Sequence, residues 1–576
     1  METITTCSAC NIELVGQQVA LHGFVAKTRN LGGMVFVDLR DRTGIVQLVI
    51  QPEHRQYELA QALRNEYVLE VTGEIVERGA KNPNMPTGDV EIAVDTITVI
   101  SEAQTTPLII AEQTDALEEV RFKYRYLDLR RPNMQARLFV RHRVNKLIHQ
   151  YLDAREFIEV ETPFLSKSTP EGARDYLVPS RLHDGEFYAL PQSPQLYKQL
   201  LMLAGIEKYY QIVRCFRDED LRTDRQPEFT QLDIEQAFID EEDMYTLIEG
   251  LLHDIFQKVK GIDIPLPFPR LAYEDAMERF GSDKPDTRFG MELIDITELA
   301  HTTEFAVFNN AERVKAIVVP GGAQFSRKEL DGYTDFVKIY RAKGLAWLKV
   351  VNHTLEGPIA KFLSETQKAQ VLQQTEAPNE SIILFVADTL DVARNALGQL
   401  RLHIAKKVAL IPEDVYNFLW VIDWPLLEYD ADAKRYTAAH HPFTAPKIGD
   451  EALLKNAPGE AKARAYDIVL NGYEIGGGSI RIHNPVHQKQ MLETLGMDEQ
   501  TIAEQFGFLL EAYSYGAPVH GGIALGIDRL MMLLTGTELI SDVIAFPKTL
   551  SARDLMMGSP SRVEETQLDE LHIKLK

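Results

Sequence analysis

The chain has little cysteine: three residues in 576. That is too few for a disulfide framework and points to a reducing compartment, the cytoplasm. Cys7 and Cys10 have the spacing of half a zinc knuckle. No second pair exists to complete four ligands, so they read as ordinary thiols. No run of about 18 apolar residues occurs, which excludes a transmembrane helix as an expectation. The first residues, Met1-Glu2-Thr3-Ile4-Thr5-Thr6, lack the basic and apolar regions of a secretory leader. Positive charge is also short. The net charge is −24, which argues against indiscriminate binding to nucleic acid.

What is present suits a large globular protein, with 45% apolar and 25% charged residues. The length suggests several domains. One segment departs from the acidic background. Between Arg121 and Lys146 stand nine Lys/Arg and one acid, Asp128. Such a segment can touch phosphates, or it can be a solvated helix with ion pairs.

Residues 1–105 read as all-β. Five short strands begin near Val19, Met34, Ile45, Val68 and Val90, and one helix spans Tyr57–Asn65. That order is the pattern of an OB-fold, which binds single-stranded nucleic acid. Alternation puts Phe36 on one face with Met34 and Asp38, opposite Val35 and Val37. This favours an exposed ring that could stack on a base. Over these residues eight Lys/Arg face fourteen Asp/Glu, so discrimination must come from base contacts rather than charge. Residues 106–135 read as a hinge, with Pro107 and Pro132 as breakers. An amphipathic helix is expected over Leu138–Arg155.

The most informative stretch is Arg217-Asp218-Glu219-Asp220-Leu221-Arg222-Thr223-Asp224-Arg225-Gln226-Pro227-Glu228-Phe229. Strand-like segments before it (Tyr209–Phe216) and after it (Phe229–Ile239) make an antiparallel hairpin. Phe229, Gln231, Asp233 and Glu235 then share a face. Further on, Gly521-Gly522-Ile523-Ala524-Leu525-Gly526-Ile527-Asp528-Arg529 precedes the apolar run Leu530–Leu534. Phe157-Ile158-Glu159-Val160-Glu161-Thr162-Pro163 precedes the hairpin.

These three elements, in this order, resemble motifs 2, 3 and 1 of the class II aminoacyl-tRNA synthetases. The aspartyl enzymes of bacterial type match best, over nearly the whole chain. The resemblance implies a multidomain α+β protein with an antiparallel sheet flanked by helices. It divides the chain into an anticodon-binding OB-fold (1–105), a hinge (106–135), catalytic parts at 136–287 and 409–550, and a C-terminal extension (551–576). Residues 288–408 resemble the α+β insertion of the bacterial enzymes, and its role does not follow from the sequence.

The resemblance also implies chemistry. Aspartate and ATP would form an adenylate, and the aspartyl group would pass to the 3′ end of tRNA-Asp. Arg217 and Arg529 match the phosphate-binding arginines; a planar guanidinium suits phosphate oxygens. Asp218, Glu219, Gln226 and Phe229 match the motif 2 contacts to ATP. Gly526, Ile527 and Asp528 match those of motif 3, where Gly522 and Gly526 are expected to clear a close backbone approach. Glu474 and Asp467 match the carboxylates associated with Mg²⁺. The run Gly476-Gly477-Gly478 after Glu474 lacks the lysine of a P-loop and reads as a bend or bulge under the substrate.

The expected aspartate cage is Glu171, Ser193, Gln195, Lys198, Arg217, Asp233, His440 and Arg481. Ser193-Pro194 reads as a helix N-cap followed by an N1 proline, with Gln195 and Lys198 on one face. Lys198 and Arg481 would meet the side-chain carboxylate, so asparagine would leave two cations unpaired. In the barrel, Phe36, Gln47 and Glu91 match anticodon contacts. Leu31 stands where enzymes that also charge tRNA-Asn often have histidine, which favours tRNA-Asp alone. Pro163 matches the homodimer element. Two other readings fit less well. An asparagine-synthetase-like ligase lacks the OB domain, and an inactive RNA-binding paralogue would not need Arg217, Glu474 and Arg529 together.

Overall fold

The computed structural model describes residues 3–169 and 172–576. They cluster into two units. One comprises residues 1–141, 221–224 and 539–562, and the other residues 142–220, 225–538 and 563–576.

In the first unit, β1 (Gln18–Leu31), β2 (Met34–Arg40) and β3 (Ile45–Ile50) form a meander. Helix α1 (Tyr57–Ala62) leads to β4 (Val68–Glu77) and β5 (Val90–Ser101). β4 pairs with β1 and with β5, and β5 runs parallel to β3, so the sheet closes on itself. This is the expected OB-fold. Alternation fills its interior with Val35, Val37, Leu39, Val46, Leu48, Val71 and Ile92, and Cys7 and Cys10 are buried in the same core. Burial lifts both thiols, that of Cys10 to about 11, so neither is poised as a thiolate.

The basic segment is largely spent on internal bonding. Arg121, Arg125 and Arg131 converge on the fully buried Asp128 at 3.1, 2.6 and 2.8 Å. Arg125 also donates to the carbonyls of Ser541, Ile544 and Ala545. Arg130 binds Glu66, and Arg137 binds Asp542. Pro132 is not a breaker. It is the first residue of helix α2 (Pro132–Asp153), where its missing N–H costs nothing, so the helix starts six residues before the expected Leu138.

The second unit is built on an eight-stranded sheet. Its members are β6 (Ile158–Glu159), β7 (Lys208–Phe216), β8 (Glu228–Ala237), β9 (Arg270–Ala272), β10 (Phe418–Ile422), β11 (Ala465–Leu470), β12 (Tyr473–Ile480) and β13 (His520–Gly526). The order is β9-β10-β11-β12-β13-β8-β7-β6. The six central strands are antiparallel, as expected. The two edge pairs, β9–β10 and β6–β7, are parallel, because short edge strands reached by crossovers join there. The hairpin β7–β8 forms with Cys215 opposite Phe229 and Gln211 opposite Asp233.

Residues 294–388 carry a separate five-stranded antiparallel sheet, in the order 294–295, 313–319, 382–388, 346–351, 354–356. Apolar clusters cover both its faces, so it has no bare side. Its buried Lys315 pairs with Glu278 on the helix Tyr273–Phe280, which also carries Glu274; both acids meet Arg394.

Candidate active site

The floor of the site is a row of glycines, and neighbouring side chains explain them. A Cβ on Gly522 would lie 2.0 Å from Glu235 Oε2, and one on Gly478 would lie 2.1 Å from the Gly522 carbonyl oxygen. One on Gly477 would lie 2.6 Å from Asp467 Oδ1 and 3.8 Å from Glu474 Oε1. The glycines therefore admit buried carboxylates to a tightly packed sheet. The bulge lies on the same strand, just before them: Ile475 is the extra residue between Glu474 and Gly476, opposite Val469 and Ile468. Gly526 is different. A Cβ there would meet no protein atom closer than 3.8 Å, so the space above it is open.

Four charges meet on this floor. Lys198, on helix α3 (Gln195–Leu203), lies 2.9 Å from Asp233 Oδ1 and 3.4 Å from Glu235 Oε2. Arg481 grips Glu235 with two bonds, Nε–Oε1 at 2.9 Å and Nη2–Oε2 at 3.1 Å. All four side chains are buried. Burial would raise both carboxyls. Arg481 and Lys198 outweigh it for Glu235, whose pKa falls. For Asp233 burial wins over Lys198, and its pKa rises. Asp233 Oδ2, Gln195 Nε2 and His440 Nδ1 are buried and without a hydrogen-bond partner among the described residues. Unsatisfied groups of this kind are costly and are what a polar ligand would satisfy.

Helix α3 starts one residue later than expected. Pro194 is its N-cap, and Ser193 precedes the helix. Gln195 and Lys198 nevertheless share its buried face. Glu171 lies outside the described residues. Further along the chain, Gln192 Nε2 donates to Asp175 Oδ1 at 2.6 Å and to the Ala173 carbonyl at 2.8 Å.

His440 and His441 do different work. His440 Nε2 lies 3.2 Å from Asp467, and its ring stands edge-on to Trp424. Burial opposes charge on His440, but Asp467 and Glu474 outweigh it and its pKa is raised. His441 Nε2 lies 2.5 Å from Arg481 Nη1. Burial and then Arg481 hold His441 well below the ordinary histidine range, so this nitrogen accepts from the guanidinium.

The other half of the site is more open. The Arg217 guanidinium lies 5.1 Å from the centroid of the Phe229 ring, and both are half-buried. Glu219 pairs with Arg225 at 3.1 Å, Asp218 is half-exposed and faces Arg174, and Gln226 is buried. Arg529 lies in the first turn of helix α4 (Ile527–Leu534) and donates to the Glu474 carbonyl. Asp528 accepts from the Thr230 N–H at 2.7 Å and so locks β8 to the helix start. Ile527 is wholly buried, which leaves only its backbone for a ligand.

Glu474 has its pKa raised, first by burial and then by Asp467 beside it. Two such carboxylates suit a hard cation. Among the described residues no trio of His, Cys, Asp or Glu encloses a metal, so phosphate oxygens and water would complete its shell.

The sequence reading missed Glu235, His441 and Gln192 as site residues. Glu235 was visible in the shared face of β8; the others depend on contacts between distant segments. In the barrel, Phe36 is half-exposed while Val35 and Val37 are buried. Gln47 Nε2 donates to Glu91 at 2.6 Å, and its Oε1 accepts from Arg78 at 2.7 Å and Arg29 at 3.1 Å. Neither arginine stood out in the sequence. Leu31 is exposed at the tip of β1.

Comparison with known proteins agrees with this geometry. Residues 117–550 match the model of "tRNA synthetases class II (D, K and N)", and residues 19–100 match that of "OB-fold nucleic acid binding domain". The chain is 56% identical to an "Aspartate--tRNA(Asp/Asn) ligase" of Bacillus cytotoxicus, over 100% of this chain and 99% of the relative. Like-named proteins of Bacillus anthracis and Bacillus thuringiensis match equally, with the same coverage. The fold resembles an asparaginyl-tRNA synthetase of Pyrococcus horikoshii (TM-score 0.60, 20% identity, 95% of this chain and 99% of that one). It also resembles an aspartyl-tRNA synthetase of Entamoeba histolytica (TM-score 0.59, 19% identity, 95% and 91%). With buried cage, arginine-bearing hairpin and family model in agreement, the chain belongs to the class II aminoacyl-tRNA synthetases.

Proposed function

We propose that the protein activates L-aspartate with ATP and transfers it to tRNA. The observation that carries this reading is the buried set Lys198, Asp233, Glu235 and Arg481, with its unsatisfied polar atoms. Two buried cations suit a side-chain carboxylate. Asparagine would offer them no negative charge, and lysine would add a like charge. His441 and Glu235 hold Arg481 from two sides, so the fork is set before substrate arrives. Glu171, Ser193, Gln195 and His440 complete the amino-acid contacts in this reading.

Activation is an in-line attack of the aspartate α-carboxylate on the α-phosphorus. The work of the protein is positioning and charge neutralisation. Arg217 would bridge the carboxylate and the α-phosphate, Phe229 would stack on the adenine, and Arg529 would hold the γ-phosphate. Asp218, Glu219, Gln226 and the backbone of Gly526–Asp528 would make the remaining ATP contacts. Mg²⁺ held by Asp467 and Glu474 would neutralise charge on the triphosphate.

Both tRNA-Asp and tRNA-Asn are the proposed acceptors. Leu31 favours the first alone, but relatives 56% identical over the full chain carry the name Asp/Asn, and one exposed position weighs less. Phe36, Gln47 and Glu91 would read the anticodon. Pro163, Phe164 and Leu165 are exposed, as expected for a surface that closes a homodimer. No helix among the described residues is long and apolar enough to cross a membrane. The cytoplasm, where ATP and tRNA are found, is the proposed location.

The test is parallel charging of tRNA-Asp and tRNA-Asn transcripts with labelled aspartate. Charging of both is expected. Charging of tRNA-Asp alone would restore the weight of Leu31. Charging of neither, with aspartate-dependent ATP–pyrophosphate exchange intact, would leave the activation chemistry standing and the RNA partner wrong.

A further inference from the structure

An Asn-Gly pair closes many antiparallel hairpins by itself, and such loops ordinarily lie in solvent. Asn471-Gly472 joins β11 to β12, with Leu470 opposite Tyr473. Both residues are left-handed, at φ +53° and +85°, as a type I′ turn requires. Yet Asn471 is only 7% exposed, and both ends of its amide are used. Its Oδ1 accepts from the Asn417 N–H at 2.8 Å, and its Nδ2 donates to the Val415 carbonyl at 2.8 Å. Its own N–H donates to the Asn417 carbonyl at 3.2 Å. On the other side of the turn, a Cβ on Gly472 would lie 3.1 Å from Asp286 Cβ.

These contacts come from the two segments that bracket the inserted sheet. Residues 286–290 lead into it, and residues 409–417 follow the helix Leu390–Lys407 that leaves it. Arg401, buried in that helix, donates to the carbonyls of Asp286, Phe289 and Gly290 at 2.8, 2.9 and 2.9 Å. Arg288 binds Asp286 at 2.7 Å and donates to the Pro412 carbonyl at 3.2 Å. Asn417 Nδ2 donates to the Thr287 carbonyl at 3.2 Å. The two ends of the insertion are thus tied to each other and to the Asn471-Gly472 turn.

The turn places Glu474. Strand β13 pairs with β12 only from Gly476 onward, and the bulge at Ile475 interrupts the ladder to β11. Tyr473 and Glu474 are therefore carried by two residue pairs next to the turn, with Leu470 and Val469. The Glu474 carbonyl accepts from Arg529. A displaced turn would move the acceptor that holds this guanidinium. The aspartate cage lies beyond the bulge, on helix α3, on β8 and past the far end of β12, where the sheet is paired on both sides.

We propose that Asn471 is a positioning residue for ATP: it anchors the turn to both ends of the insertion, and the anchored turn sets the Glu474 carbonyl and, through it, Arg529. The proposal rests on the reading above in which Arg529 holds the γ-phosphate. It gives the ends of the insertion a task without contact to either substrate. They brace the ATP half of the site and leave the aspartate half alone.

Aspartate-dependent ATP–pyrophosphate exchange by the full chain tests this, with ATP and aspartate varied in turn. Asn471→Gly keeps the left-handed backbone and removes only the amide. It is expected to raise the KM for ATP about tenfold and to keep the KM for aspartate within about twofold, because a small displacement of a positioning group is costly. Asn417→Ala removes the bond to Thr287 and leaves the backbone bonds to the turn. It is expected to give the same pattern at about threefold, as for one lost hydrogen bond. If Asn471→Gly melts well below the wild type, Asn417→Ala is read in its place. An ATP KM unchanged in both variants overturns the proposal, as does an equal rise in both constants. A rise confined to Asn471→Gly overturns the part given to the insertion. Exchange absent from the wild type overturns the adenylate-forming reading, and this proposal with it.

Discussion

Two clusters in the larger unit each join two buried cations to carboxylates. In the cage they are Lys198, Arg481, Asp233 and Glu235. At the edge of the inserted sheet they are Lys315, Arg394, Glu274, Glu278 and Asp295. The cage is sealed: the exposures are 1, 2, 0 and 0%. The second cluster buries its cations, but Glu278 is 38% and Glu274 65% exposed. Water can solvate those acids, so the second cluster holds two pieces of chain together and does little else. In the cage the charges are shut off from bulk solvent, and Asp233 Oδ2 has no hydrogen-bond partner among the described residues. Burial, rather than the choice of residues, turns one cluster into a candidate binding site.

The comparison breaks most sharply at Lys198. Lys198→Met strands Asp233 and Glu235 in the interior with one cation. Aspartate-dependent exchange should fall about a thousandfold or more, and stability should drop by about 3–5 kcal/mol. The double variant Lys198→Met/Asp233→Asn should recover much of the stability and none of the activity. Denaturant melts alongside exchange assays check both. Full activity in the single variant would show that Lys198 does not meet substrate.

Next in size is Arg217, which carries no comparable structural duty. Its guanidinium lies over Phe229 in a half-open part of the site. Arg217→Ala should cost about 10²–10³-fold in exchange and leave the melting temperature unchanged. Loss of both together would mean that it braces the hairpin.

A third test lies in the barrel. Phe36→Ala should reduce charging of tRNA by about tenfold, as expected for one lost stacking contact of about 1–3 kcal/mol, and leave exchange untouched. Reduced exchange would remove Phe36 from the RNA face.

How far the sequence could be read follows the same division. The barrel was legible because its strands alternate cleanly: Val35 and Val37 inward, Phe36 half-exposed. The hairpin was legible because its turn chemistry and strand pattern are local. The strand Ile382–Asp388 was not picked out, although it is central to the inserted sheet. It is a continuous apolar run buried on both faces, and such a run carries no period to separate strand from helix. Within the site, Lys198 and Arg481 were found through the family resemblance. Their partners are 35 and 246 residues away in sequence, and no local pattern encodes that. The reason for the glycines was likewise hidden. Gly522 makes room for Glu235 from the neighbouring strand, which only the register reveals.

The smallest effect is expected where the comparison began, at Glu278. Its carboxyl lies 2.5 Å from Arg394 and also pairs with Lys315. Burial alone would raise its pKa, but Lys315 and Arg394 outweigh that and hold it below the ordinary value of 4.5. A carboxyl whose folded pKa is lowered stabilises the fold above its unfolded pKa. That stabilisation is lost as pH falls from about 4.5 through the folded value. Because Glu278 is more than a third exposed, solvent screens the pair, and Glu278→Gln should cost only about 0.5–1 kcal/mol at pH 7. The difference between variant and wild type in denaturant melts should shrink as pH falls below that value. A cost that persists undiminished in acid would mean that Glu278 acts through packing rather than charge, and the contrast between the two clusters would lose its electrostatic basis.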